Sequence, residues 1–325
     1  MTRPDTLYPF RPVNAVHRLG ASPACLLSGV PMQRALAQAA SRLVVFELAS
    51  VPVQARGVLR AAQNLDVAMG LAFRPRLDVR AAHFNAFVRD VLALADELGF
   101  HHPLFLSAGP FYLTSPDAAA LQALERHVFE AVDAGFTEVS IALGGAPSAA
   151  TAEALAPALQ PLRARDLSLE VVLPPTQSAL EWQRLFAGAG IEAELFASSE
   201  LAGDKSRPEP PASWGLRPRD AQLPEAFDLR LGRLTLDPFT DIVLQVISDE
   251  AHAEIDKLCA QGFRSTDVLG VKPRFLGELD GEARQWVESN IYFDAMELFE
   301  ALALQGSADL VRRFLDEQRD GAGDL

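Results

Sequence analysis

The chain has 325 residues, 49% of them hydrophobic, and a formal charge of −14; that is enough apolar mass for a large core, with a net charge that argues against a nucleic-acid or anionic-membrane partner. Two cysteines, Cys25 and Cys259, make neither a disulfide framework nor a ligand cluster. Residues 1–14 hold no apolar signal core, and no run approaches ~18 uncharged apolar residues, so neither export nor membrane spanning is expected and the cytoplasm is the default location.

Seven times between Ala24 and Ser198 a short apolar run is followed by a longer stretch with helical spacing. The runs are Ala24 to Leu27, Leu43 to Phe46, Val67 to Leu71, Leu104 to Leu106, Val139 to Leu143, Leu169 to Leu173 and Ala193 to Phe196. Strands buried on both faces read as nearly continuous apolar runs, and parallel strands need helical crossovers, which the gaps are long enough to hold. The segment 199–227 breaks this rhythm with Gly203, Pro208, Pro210, Pro211, Pro218 and Pro224 among charges, which predicts a surface loop or insertion. Beyond it, Asp241 to Ile247 and Val268 to Lys272 are strand-like, Ser248-Asp249-Glu250 caps a helix through Cys259, and Gly281 to Arg319 is helical with a break at Gly306-Ser307.

Eight or nine parallel-type strands alternating with helices predict an α/β fold of the (β/α)₈ TIM-barrel type. The expected organisation is a single domain over 1–325, with an N-terminal extension at 1–22, the insertion at 199–227 and a helical tail at 281–325. No G-x-G-x-x-G turn follows the first strand and no P-loop is present, which removes the signals of a dinucleotide or nucleotide fold, and no cofactor is expected.

In such a barrel, chemistry lies at the C-terminal ends of the strands. Those ends carry Ser28-Gly29, Glu47 and Ser50, Arg74 and Arg76, Ser107-Ala108-Gly109 with Tyr112 close by, Gly144-Gly145, Pro174-Pro175-Thr176, and finally Lys272 and Arg274. Four basic groups on one rim of an acidic chain would attract a phosphate or carboxylate. Ser107, Gly144 and Gly145 are read as substrate-binding beside Arg74, Arg76 and Arg274, although the arginines could equally be solvated loop residues. Lys272 is one of three lysines against twenty-six arginines; at the inner end of a strand it could be desolvated into a nucleophile or base, hold an anion, or simply cap the rim. Glu47 interrupts an apolar strand, so it works as an acid or base, or turns outward to a helix. Of the six histidines only His83 lies near the rim, His101 and His102 falling at the opposite end. No histidine set converges, and no zinc is expected.

Val44 to Ser50, the run Ala95 to Phe100 leading to Phe105 to Pro110, and Asp133 to Val139 resemble parts of class II sugar-bisphosphate aldolases, in particular the tagatose-bisphosphate aldolase branch with its accessory subunit. Val268 to Pro273 is similar to that branch's final lysine-containing strand. The resemblance implies a sugar-phosphate barrel. In the zinc-dependent family an Asp-His pair follows the fourth-strand glycines; here that place reads Ser107-Ala108-Gly109-Pro110-Phe111, so metal-dependent aldol cleavage does not carry over. Three readings follow: a metal-independent lyase or isomerase on a small anionic metabolite, a barrel without catalysis serving as an accessory or regulatory subunit, or an enzyme whose organic cofactor supplies the chemistry. Homo- and hetero-oligomers are both open.

Overall fold

A computed structural model of the chain describes residues 4–20, 22–39, 41–48, 51–75, 79–174, 176–193, 195–198, 230–234, 257 and 281–322. Eight strands lie among the described residues: β1 (Cys25–Leu26), β2 (Leu43–Glu47), β3 (Met69–Phe73), β4 (Pro103–Leu113), β5 (Glu138–Leu143), β6 (Ser168–Leu173), β7 (Leu195–Ser198) and β8 (Arg230–Leu234). Between and after them lie α1 (Val13–Leu19), α2 (Gly29–Gln38), α3 (Arg56–Leu65), α4 (Ala81–Leu98), α5 (Ala118–Ala134), α6 (Ala149–Arg163), α7 (Ala179–Gly188), α8 (Gly281–Ala301) and α9 (Ser307–Ala322). All described pairings are parallel, in the order β7-β6-β5-β4-β3-β2-β8. This is a curled parallel sheet alternating with helices, the α/β TIM-type architecture over the described residues.

The helices start and stop where local chemistry dictates. Asp117, Ser148 and Ser178 cap α5, α6 and α7 by accepting from the amides of Ala120, Thr151 and Glu181. Gly99 and Gly135 end α4 and α5 in the left-handed region, returning their amides to the last turn.

Each strand alternates between two faces. Val44, Phe46, Met69, Leu71, Leu104, Leu106, Val139, Ile141, Leu169 and Val171 face outward into the core shared with α3 to α8, where Phe46 meets Phe299 edge to face. Leu43, Val45, Ala68, Ala72 and Phe105 face inward and pack with Cys25 and Leu27, with Met32 and Leu36 of α2, and with Ala308, Val311 and Leu315 of α9. Helices α2 and α9 therefore plug the N-terminal end of the sheet and leave the C-terminal end to the functional groups.

Three features differ from expectation. The run at Ala24 is not a full stave: β1 pairs only with Pro103 and Leu104 at the foot of β4, below the point where β5 joins the same edge. The fourth strand does not stop at Leu106 but continues to Leu113 through a bulge. β8, of sequence Arg-Leu-Gly-Arg-Leu, joins the sheet beside β2; two arginines and a glycine give it none of the apolar continuity that marks the other strands. The Pro-rich segment at 199–227 and the expected strands at 241–247 and 268–272 lie outside the described residues.

Candidate functional site

Glu47 is the last residue of β2. Because Val44, Phe46 and Leu48 face the outer core and Leu43 and Val45 the inner one, alternation puts Glu47 on the inner face and removes the outward alternative. Arg74 follows the end of β3 with the same parity, after inward Ala72 and outward Phe73. Its Nη1 donates to Glu47 Oε1 at 3.2 Å and its Nη2 to the Tyr112 hydroxyl at 3.4 Å. The Glu47 side chain is 16% exposed and that of Arg74 54%, so the carboxylate is a fixed base for a guanidinium that still meets solvent. Burial works to lower the proton affinity of Arg74, but Glu47 and Tyr112 outweigh it and raise the group above its ordinary value, keeping it charged.

Tyr112 reaches this site through the bulge. From Ala108 to Phe111 β4 advances three residues while β5 advances two, from Val139 to Ile141, so β4 carries one extra residue and the face of each later side chain is exchanged. Phe111 and Leu113 then point to the outer core and Tyr112 inward. Gly109 makes this possible: its φ is +125°, and a Cβ there would overlap the Ser140 carbonyl. A Gly-Pro pair inside a strand-like run is the sequence signal for such a bulge.

The remaining rim residues are placed differently. The Gly144 amide donates to the Leu113 carbonyl at 3.0 Å, extending the strand ladder. Gly145 accepts from Gln177 Nε2 at 2.8 Å, and Gln177 in turn accepts from Trp182 Nε1 at 2.8 Å, which ties the loop after β5 to the one after β6. Ser107 is fully buried within β4 rather than at its end. His83 Nδ1 accepts from the Arg80 amide at 3.1 Å and so caps α4. Arg76, Lys272 and Arg274 lie outside the described residues.

Below the rim the inner face of β5 and β6 is polar, which the apolar reading of these strands missed. Glu138, Ser140, Ser168 and Glu170 are buried, alternating with the outward Val139, Ile141, Leu169 and Val171. Ser168 Oγ shares a 2.6 Å hydrogen bond with Ser28 Oγ and accepts from the Val30 amide at 2.7 Å. The Glu138 carboxylate lies against the first residue of α2, so close that any side chain at Gly29 would overlap it; the positive end of the helix favours the negative charge there. Ser140 Oγ has no hydrogen-bond partner among the described residues. The alternations Glu-Val-Ser-Ile and Ser-Leu-Glu-Val are the signal that could have exposed this layer.

At the opposite end, His102 Nδ1 lies 2.8 Å from both Asp66 Oδ1 and Arg312 Nη2, and Arg312 Nη1 donates to Asp66 Oδ1 at 3.0 Å. Burial opposes the Asp66 charge, but His102 and Arg312 hold its carboxyl down to about 2. Burial pushes the His102 imidazole below its ordinary value, with the Arg312 charge acting the same way and Asp66 against it.

The zinc ion of the resembled family does not fit the described residues. At the corresponding place β4 offers Ser107, Gly109 and Tyr112, none of them a nitrogen, thiolate or carboxylate donor. No group of three or more His, Cys, Asp or Glu gathers at metal-binding range among the described residues. Nor is any described helix long and apolar enough to cross a membrane.

No protein-family model and no curated protein sequence matches the chain. Solved structures do. The YdjI aldolase from Escherichia coli K12 superposes with a TM-score of 0.50 at 12% identity, over 87% of this chain and 100% of that one. A fructose-bisphosphate aldolase from Campylobacter jejuni gives 0.49 at 13% identity, over 85% and 94%. The first of these likenesses is one of fold, and it agrees with the α/β TIM-type architecture of the described sheet and helices.

Proposed function

We propose that this chain binds a small sugar phosphate at the C-terminal rim of its sheet and performs metal-independent lyase or isomerase chemistry on it. The observation that carries the reading is the convergence of Glu47, Arg74 and Tyr112 from three successive strands onto the inner face. A half-exposed arginine locked between a carboxylate and a phenol has most of its geometry fixed before a ligand arrives, so little freedom remains to be lost on binding. The description of the YdjI structure as an aldolase supports the same direction.

In this reading Arg74, with Arg76 and Arg274, takes the phosphate. Ser107, Gly144 and Gly145 line the substrate side. Lys272 is the nucleophile: its amine adds to the substrate carbonyl and water leaves, giving an iminium ion. For a lyase, Glu47 takes the proton of the hydroxyl on the far carbon of the bond to be broken, that bond's electrons pass into the iminium, and an aldehyde departs; the enamine left on Lys272 is then reprotonated at carbon and hydrolysed, which frees the amine and releases the second product. The test is reductive trapping. Borohydride added during incubation with a ketose phosphate should leave a stable adduct on wild-type protein and none on Lys272→Met. If wild type gives neither adduct nor any cleaved or isomerised product over a panel of ketose and aldose phosphates, the reading is wrong.

A further inference from the structure

We infer that Tyr112 is the proton donor of this site, the group that delivers a hydrogen to carbon after the substrate bond has broken, with Arg74 stabilising the phenolate left behind. This role rests on the proposed rim site and its Lys272 enamine, and it fills the proton transfer to carbon that the proposed reaction leaves unassigned.

Only the bulge in β4 brings this hydroxyl inward. Leu104, Leu106 and Ala108 face the outer core, so unbroken alternation would send Tyr112 there as well. The extra residue, with Gly109 held in a backbone position where the Ser140 carbonyl excludes a Cβ, turns it to the inner face instead. Tyr112 is then 59% exposed, so its ring does little to fill a core. What fixes it is Arg74, whose Nη2 donates to the hydroxyl oxygen at 3.4 Å. That contact uses a lone pair of the oxygen. A phenol can accept and donate at once, and no second hydrogen bond ties Tyr112 among the described residues, so its own hydrogen is kept for a ligand.

The neighbouring cation is what suits this phenol to acid chemistry. A proton leaves more readily when a fixed positive charge faces the oxygen that becomes negative, and Arg74 stays charged. Other hydroxyl and imidazole groups described near the rim are occupied elsewhere: Ser107 is buried within β4, and His83 caps α4. The step balances. Once the aldehyde has gone, the electron pair at the enamine carbon takes the Tyr112 hydrogen; the C–H bond forms as the O–H bond breaks, and the nitrogen becomes an iminium ion again. Water hydrolyses the iminium, and the phenolate regains a hydrogen from solvent, to which the ring is open. In the reverse direction the phenolate removes the same hydrogen, so a ketose phosphate alone exchanges it with solvent.

Dihydroxyacetone phosphate is the probe, because it carries the carbonyl, the phosphate and that hydrogen with no aldehyde to lose. NMR in D2O reads exchange at its hydroxymethyl carbon, borohydride trapping reads the iminium, and calorimetry with inorganic phosphate reads the rim. Tyr112→Phe keeps the ring and removes only the hydroxyl. Its exchange rate should fall about 100-fold or more, the usual contribution of a positioned acid. The trapped adduct should still form, which shows that the variant is folded, and phosphate affinity should drop by no more than about fivefold, as for one lost hydrogen bond. Exchange equal to wild type would assign the proton to another group, such as Glu47. A fall of exchange, adduct and phosphate affinity by one common factor would make Tyr112 a support for Arg74 alone. Either result overturns the inference and leaves the rim and Lys272 reading standing. If wild type gives neither adduct nor exchange, both fall.

Discussion

The two ends of one sheet handle charge in opposite ways. At the N-terminal end Asp66, His102 and Arg312 satisfy one another beneath α9, with the Arg312 side chain only 8% exposed. At the C-terminal end Glu47 and Tyr112 also hold an arginine, but Arg74 keeps 54% of its side chain in solvent. The first arrangement spends its donors on the fold. The second fixes a cation and leaves donors over, since a guanidinium has five N–H groups and Arg74 gives one to each partner. Ion pairs of similar composition therefore predict opposite results when broken: a loss of stability below, a loss of binding above.

The largest effect is expected from Arg312→Ala, which leaves Asp66 and His102 without their buried partner and should lower stability by about 3 kcal/mol in denaturant titration, without altering phosphate affinity. Gly109→Ala comes next. It forces a left-handed backbone position onto a residue with a Cβ, against the Ser140 carbonyl, and should cost about 2 kcal/mol. Because the bulge sets the face of Tyr112, it should also weaken phosphate binding, so this substitution lowers stability and binding together.

A smaller effect is the acid profile of the lower cluster. His102 has its proton affinity depressed by folding, so its contribution is complete above the ordinary histidine range and is lost as pH falls from about 6.5 through its lower folded value. Asp66 is also depressed, to about 2; its contribution is complete above about 3.9 and is lost as pH falls from there through about 2. Tm measured against pH should therefore fall in two stages, and His102→Gln should flatten the first stage only. A single unbroken decline in both proteins would remove the cluster as the origin.

Much of this division could be read before any coordinates. Leu43 to Phe46, Val139 to Leu143 and Leu169 to Leu173 are each within a residue of the observed strands, because burial on the outer face and on much of the inner one demands apolar continuity. Glu47 and Arg74 stood out as charges at the ends of such runs. What was hidden depended on partners distant in sequence. The parity change that turns Tyr112 inward depends on a backbone contact between β4 and β5, and the burial of Glu138 and Ser168 depends on the start of α2, more than a hundred residues away in sequence. β8 pairs with β2 although its sequence has no continuous apolar run to announce a strand. Arg76, Lys272 and Arg274 lie outside the described residues and keep their roles as proposals.

The central claim is that Arg74 is built for a ligand and not for the fold. Thermal and denaturant unfolding of wild type and Arg74→Ala, each with and without inorganic phosphate, tests it most directly. The two ligand-free proteins should agree within about 0.5 kcal/mol, as for other exposed substitutions. Phosphate at a hundredfold excess over its dissociation constant should stabilise wild type by about 2.7 kcal/mol and Arg74→Ala far less. Equal stabilisation of both proteins, or a large loss of ligand-free stability in Arg74→Ala, would contradict the account.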